Sequence, residues 1–218
     1  MITTVIFDMD GTLLNTLDDI TDSVNAILAE YDLPPRTIDE IRHMVGNGAV
    51  YLMERAVEGG ASHPEFDRIL EDYKAYYEKH CNIKTGPYRN IMELLKTLKD
   101  RGYKMAIVSN KPMGAVKELT RIYFGDFVDV SIGTSDSMRR KPYPDECIEA
   151  MKELGSTREE TVYVGDSEVD HKTAINSGLK CISCLWGFRT KEELIEAGAG
   201  ENVFVNDPLE IMDVLNAD

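Results

Sequence analysis

Residues 2–14 read Ile2-Thr3-Thr4-Val5-Ile6-Phe7-Asp8-Met9-Asp10-Gly11-Thr12-Leu13-Leu14, an apolar run that ends in two carboxylates and a glycine. Ile2, Val5, Ile6 and Phe7 are β-prone, and the run lacks the polar alternation of a half-exposed strand. It suits a strand buried on both faces, as in a parallel sheet. Asp8 and Asp10, two residues apart where that strand ends, are costly to hold together without a cation or a shared proton. The carboxyl edge of an open α/β sheet is also where ligands bind. By itself Asp8-x-Asp10-Gly11 suits a plain turn equally well, so its meaning depends on the partners that the rest of the chain supplies.

Beyond Leu14 the pattern becomes helical. Leu17, Ile20, Val24, Ile27 and Leu28 recur at helical spacing over residues 16–30, with Asp18, Asp19 and Asp22 near the start. Leu33-Pro34-Pro35 breaks the chain, and Thr37 with Glu40 forms a capping box opening a short helix to about Val45. Gly46-Asn47-Gly48 is a sharp loop, followed by helices over residues 49–57 and 64–81. From Thr85 the rhythm is helix, strand, helix, strand. Strands are predicted at 103–108, 127–132, 161–164, 181–185 and 203–205. Between and after them lie helices at 87–101, from 113 to 123, up to Leu154, up to Gly178, at 190–197 and at 208–215.

This alternation predicts an α/β fold with a doubly wound parallel sheet. The first strand belongs to the same sheet as the strands after residue 102, so the helical block is an insertion. The expected organisation is an α/β core of residues 1–14 and 85–218, with a small all-helical domain of residues 15–84 above the carboxyl edge of the sheet.

Four polar signals fall at strand ends or just before helices: Asp8 with Asp10, Ser109, Lys141, and Asp166 with Asp170. Taken singly each has a plain structural reading. Ser109-Asn110 suits a helix cap, Lys141 a solvated surface, Asp166 a turn, and Asp170 a first-turn helix charge. Together they occupy one edge of one sheet, and the set reads as a phosphoryl-transfer site. Asp8, Asp10 and Asp166, with no suitably placed His or Cys, call for a hard, oxygen-preferring cation, most simply Mg2+. A carboxylate can attack phosphorus and carry the group as an aspartyl phosphate. A second can protonate the leaving alcohol and then activate water, while a lysine and a hydroxyl neutralise the transferring oxygens.

In order, Asp8-x-Asp10-Gly11-Thr12, Ser109, Lys141-Pro142 and Gly165-Asp166-Ser167-x-x-Asp170 resemble the four motifs of the haloacid dehalogenase-like hydrolase superfamily. The resemblance implies a Rossmann-like core, with Asp8 as nucleophile and Asp10 as acid and base. It implies that Gly11, Ser109, Asn110 and Lys141 bind phosphate. The metal ligands would be Asp8, Asp166 and Asp10, the last through its backbone carbonyl, with Asp170 supporting them. An aspartate at position 10 favours phosphatases and phosphomutases over dehalogenases. The helical block resembles the small cap domain of the superfamily. Val45-Gly46-Asn47-Gly48-Ala49 resembles the cap loop of the phosphoglycolate phosphatases, making Gly46, Asn47 and Gly48 candidate substrate contacts. Trp186-Gly187-Phe188, Glu192-Glu193-Leu194 and Ala197-Gly198-Ala199 also resemble that family.

The expectation is a Mg2+-dependent phosphatase of a small phosphorylated metabolite, with 2-phosphoglycolate first among candidates. A phosphosugar mutase resembling β-phosphoglucomutase, or a phosphatase of pyrophosphate or sugar phosphates, shares much of the plan. A phospho-acceptor signalling module also combines acidic residues, Ser/Thr and Lys around a parallel sheet. Such a module needs no cap, whereas a cap serves to enclose a substrate and control water.

The 218 residues are 43% hydrophobic and 29% charged, the balance of a globular protein with a sizeable core. A net charge of −15 argues against nucleic acid or an anionic membrane as a partner. A small anionic substrate remains compatible, because a bound cation can dominate the field inside a cleft. Cys181-x-x-Cys184 superficially resembles half a zinc site, but lacks a second Cys or His pair. The cysteines, with Cys81 and Cys147, read as structural thiols. His43, His63, His80 and His171 have no motif support. No signal pattern or membrane-length run opens the chain, so a cytoplasmic location is the default, with no obligatory protein partner evident.

Overall fold

A computed structural model describes residues 1–135 and 137–217. The chain divides into two compact units, Met1–Leu14 with Pro87–Asp218, and Asn15–Gly86. In chain order it runs through β1 (Thr4–Phe7), β2 (Leu14–Asn15), α1 (Leu17–Glu30), α2 (Ile38–Met44), α3 (Gly48–Ala56) and α4 (Phe66–His80). Next come β3 (Gly86–Pro87), α5 (Ile91–Asp100), β4 (Lys104–Pro112), α6 (Met113–Tyr123) and β5 (Val130–Thr134). The chain then continues through α7 (Asp145–Leu154), β6 (Thr161–Gly165), α8 (Glu168–Ser177), β7 (Lys180–Cys184), α9 (Lys191–Glu196), β8 (Val203–Val205) and α10 (Glu210–Ala217).

In the first unit, the described residues form a six-stranded sheet in the order β5-β4-β1-β6-β7-β8. Neighbouring strands in this sheet run parallel. β1 lies at the centre because both its faces are apolar. Val5 and Phe7 join one core cluster with Leu94, Leu95 and Leu98 of α5 and Ile211 of α10. Ile6 points the other way, into a cluster with Cys147, Ala150 and Met151 of α7 and Ala174 of α8. Each such side chain contributes about 1.5–3 kcal/mol when fully buried, so the helices are held to both faces by the alternation in β1 and its neighbours.

The strand order reverses at β1. The chain proceeds outward through β4 and β5 on one side and through β6, β7 and β8 on the other. Such a reversal leaves a crevice at the carboxyl ends of the central strands. Register fixes which residues meet there: Phe7 pairs with Ile107 and with Val164. Asp8, Ser109 and Asp166 therefore all lie just beyond a shared row.

The second unit is built from α1 to α4. Asp19 of α1 ties its two ends, its carboxylate accepting backbone N–H bonds from Ile83, Lys84 and Thr85 at 2.9 Å each. Burial alone would raise the Asp19 pKa, but the Thr85 side chain and those backbone bonds bring it below its ordinary value. The capping box of α2 forms, with Glu40 N–H on Thr37 Oγ1 at 3.2 Å and Thr37 N–H on Glu40 Oε2 at 2.7 Å.

Some boundaries differ from the sequence reading. The helix expected from Pro87 begins at Ile91, because Asn90 takes a left-handed φ of 65° and closes a turn. The strand expected from Phe127 begins at Val130, since Phe127 and Val128 donate back to Phe124 O and continue a turn. The crossing back into the α/β unit falls between Gly86 and Pro87 rather than between residues 84 and 85.

Candidate active site

The carboxyl ends of β1, β4 and β6 bring a buried cluster together. Asp8 follows β1 and donates its backbone N–H to Val164 O of β6 at 2.9 Å. Its Oδ1 accepts from Lys141 Nζ at 2.7 Å. Lys141 is 2% exposed, and its ammonium also donates to Asp170 Oδ1 at 2.8 Å and to Tyr163 Oη at 2.9 Å. The Tyr163 hydroxyl donates its own proton to Asp170 Oδ1 at 2.9 Å. A lysine so enclosed needs partners, and here it has three.

Asp170 is positioned by a capping box at the start of α8. Its Oδ2 accepts from Ser167 N–H at 3.0 Å and Ser167 Oγ at 2.6 Å. Burial alone would raise its pKa, but the Lys141 ammonium and the hydrogen bonds from Lys141, Ser167 and Tyr163 bring it below the ordinary value. Both its oxygens are thereby committed to the protein. Asp166 is fixed differently. Its Oδ2 accepts the Phe188 N–H at 2.6 Å and its Oδ1 the Thr12 hydroxyl at 3.3 Å. The Trp186 indole donates to Thr12 O at 2.9 Å, so residues 186–188 form a backbone clasp over Asp166. Gly187 has no room for a Cβ, which would collide with the Asp166 side chain and Gly11 O. Gly11 has the same constraint against Asp166 and takes a φ of 86°, which glycine alone adopts without strain.

Oxygens of Asp8, Asp166 and Asp170 all lie within 4.8 Å of one another. Burial pushes the Asp8 carboxyl well above its usual range, Asp170 adds to the rise, and Lys141 only partly offsets it. Burial and Asp170 likewise push Asp166 up to about 7, against the Phe188 N–H and the positive charge of Arg189. Three carboxyl groups thus crowd one ammonium, an arrangement with an excess of acidic oxygens. Hard oxygen donors with that excess fit a divalent cation.

The remaining expected residues fall nearby. Ser109 is 1% exposed at the tip of β4, its hydroxyl accepting the Lys111 N–H at 3.3 Å. Asn110 uses its amide Nδ2 to hold Lys141 O at 3.1 Å, which ties the β4 tip to the lysine loop. Asp10 stands apart from the three clustered carboxylates, its Oδ1 lying 3.1 Å from Lys111 Nζ. Gly46 and Gly48 belong to the other unit and take φ values of 113° and 81° around the turn into α3. The Asn47 side chain makes no capping bond there.

The sequence reading assigns no site role to Tyr163, Thr12, Lys111 or residues 186–188. Tyr163 carries a readable signal, a hydroxyl inside an otherwise apolar strand that must find a partner when buried. The clasp is legible only as a family resemblance of Trp186-Gly187-Phe188, because its bond to Asp166 comes from a backbone N–H. The four cysteines are buried and form no disulfide among the described residues. No described helix is long and apolar enough to cross a membrane.

The signature described as haloacid dehalogenase-like hydrolase matches residues 5–184. Phosphoglycolate phosphatase of Pseudomonas putida is 33% identical over 191 residues, covering 84% of this chain and 70% of that protein. N-acetylmuramic acid 6-phosphate phosphatase of Pseudomonas aeruginosa is 29% identical over 213 residues, covering 97% and 94%. A crystal structure of a phosphoglycolate phosphatase so described from Lactobacillus delbrueckii subsp. bulgaricus superimposes with a TM-score of 0.92 at 35% identity, covering 98% of each chain. The chain therefore belongs to the haloacid dehalogenase-like hydrolases, within their phosphoglycolate phosphatase-like family, and is a phosphoric monoester hydrolase.

Proposed function

We propose that the enzyme hydrolyses a small phosphorylated metabolite, 2-phosphoglycolate first among candidates, through an aspartyl phosphate on Asp8. The observation that carries this is the Asp8 carboxylate, set at the sheet's carboxyl edge with Lys141 at 2.7 Å and Asp166 and Asp170 beside it. Asp8 attacks phosphorus while Lys141 and Ser109 bind phosphoryl oxygens, and Asn110 keeps Lys141 in reach through its carbonyl. Asp10 gives a proton to the leaving alcohol, then takes one from the water that cleaves the aspartyl phosphate. Asp170, held ionised by Lys141, Ser167 and Tyr163, fixes the lysine. Mg2+, held by Asp8, Asp166 and the Asp10 carbonyl, would neutralise charge on the transferring oxygens.

In this reading the helical unit of Asn15–Gly86 is the cap that encloses the substrate, and Asn47 with Gly46 and Gly48 contributes specificity. Buried thiols outside disulfides go with a cytoplasmic location. A second reading, a sugar phosphate as substrate, is favoured by the N-acetylmuramic acid 6-phosphate phosphatase, which matches this chain over nearly its whole length. Phosphate release from both esters, with Mg2+ and then with excess chelator, separates them. Metal-dependent preference for 2-phosphoglycolate supports the first reading, preference for the sugar phosphate the second, and no release from any monoester overturns both.

A further inference from the structure

Lys111 is a buried lysine that the proposed reaction does not use. Its side chain is 2% exposed, and its ammonium lies 3.1 Å from Asp10 Oδ1, which belongs to a side chain 22% exposed. Lysine normally keeps its charge in water by extending along the surface, so enclosure here implies a task. The backbone is built to aim it. The β4–β5 register shifts between Val108 and Pro112, placing residues 109–111 in an irregularity of the strand, and such bulges re-aim side chains beside active sites. Lys111 is then pinned on both sides, its N–H on Ser109 Oγ at 3.3 Å and its carbonyl accepting from Thr134 Oγ1 at 3.3 Å. The strand end that presents Ser109 therefore also fixes the ammonium against Asp10.

We propose that Lys111 is the positioning residue for Asp10, holding Oδ1 so that Oδ2 faces the departing oxygen of the substrate. This rests on the reading of Asp10 as acid and base. As the bond from phosphorus to the leaving oxygen breaks and the bond from Asp8 to phosphorus forms, the proton on Asp10 Oδ2 passes to that oxygen. An alcohol departs, and the Asp10 carboxylate stays paired with the Lys111 ammonium. In the second step water adds to phosphorus, its proton returns to Oδ2, and Asp8 is released with inorganic phosphate. An ammonium that bound only phosphate would serve all esters alike, whereas a group that aligns the acid matters most where the leaving oxygen needs a proton.

The test compares kcat/KM for an alkyl phosphate, whose alkoxide must be protonated, with p-nitrophenyl phosphate, whose phenolate departs unaided. General acid catalysis contributes about 10²–10⁴-fold, and losing its alignment in Lys111→Met should cost the alkyl ester at least ~10-fold more than the aryl ester. Lys111→Arg, which keeps the charge, should restore the wild-type ratio between the esters. In an Asp10→Asn background Lys111→Met should add no further loss. Circular dichroism checks folding, and Lys111→Gln replaces the methionine variant should that one not fold. Equal losses on the two esters, or an additive loss in the Asp10→Asn background, overturn the proposal. An Asp10→Asn enzyme with wild-type rates on both esters overturns instead the acid–base reading beneath it.

Discussion

Tyr163 Oη accepts a hydrogen bond from Lys141 Nζ at 2.9 Å, so a side chain from the middle of β6 orients the ammonium that faces Asp8. The same hydroxyl donates to Asp170 Oδ1, and burial together with the nearby carboxylates raises its pKa. It therefore acts as a neutral bridge between cation and anion. Tyr163→Phe removes the bridge with no change of ring. The loss of a buried hydrogen-bonded hydroxyl should cost about 1–2 kcal/mol of stability. Freer motion of Lys141 should lower kcat/KM by roughly 10-fold. Thermal unfolding and steady-state kinetics measure the two. Wild-type kinetics in a folded Tyr163→Phe protein would show that Lys141 is held without the bridge.

Asp8→Asn should abolish turnover while leaving the protein folded and, without metal, no less stable. The reason is electrostatic. Burial and Asp170 push the Asp8 carboxyl up, so its charge is held in the folded state at a cost that Lys141 only partly offsets. The amide keeps the volume and removes that charge, while Lys141 retains Asp170 as a partner. Melting temperature in chelator, compared with wild type, reads the stability effect, and phosphate release reads the activity. Residual hydrolysis at more than about one per cent of wild type would remove Asp8 from the nucleophile's role.

How much of this was legible in the sequence differs between the parts. The apolar run Val5-Ile6-Phe7 and its carboxylate terminus predicted the central strand, because burial on both faces leaves a composition that no surface element shares. The motif residues were readable because Asp8, Ser109 and Asp166 sit toward the carboxyl ends of strands, and parallel pairing then brings those distant ends into one row. The onset of α5 was misplaced since Asn90 adopts a left-handed φ, a backbone choice with only a weak sequence signature. The 186–188 clasp shows in the sequence only as a family resemblance, without its role. A backbone N–H has no residue identity, and Gly187 is required only because Asp166 and Gly11 already occupy the space.

Gly187→Ala tests that clasp. Its new methyl would meet both the Asp166 carboxylate and a backbone oxygen of Gly11, and a backbone neighbour cannot rotate aside. Either the 186–188 segment shifts and the Phe188 bond to Asp166 is lost, or Gly11 moves from the end of β1. Overpacking of this kind costs about 1–3 kcal/mol. The expected result is a lower melting temperature and a higher Mg2+ concentration for half-maximal activity, with little change in KM at saturating metal. A variant with unchanged stability and metal dependence would mean that the clasp does not set the position of Asp166.

Glu146 gives a prediction about pH. It lies fully buried at the start of α7, and neither carboxyl oxygen makes a hydrogen bond among the described residues. Burial raises its pKa from 4.5 to about 7, against the pull of the neighbouring Lys141 and with a small push from Asp145. The folded protein thus holds this proton more tightly than the unfolded chain. The resulting stability is fully present below pH 4.5 and is lost as pH rises through 7. The whole span corresponds to about 3 kcal/mol. Glu146→Gln cannot ionise, so its stability relative to wild type should improve from pH 5 to about pH 7 and then level off. Measuring the difference in melting temperature at each pH cancels the groups common to both proteins. A difference that stays constant across that range would mean that Glu146 titrates alike in the folded and unfolded chain.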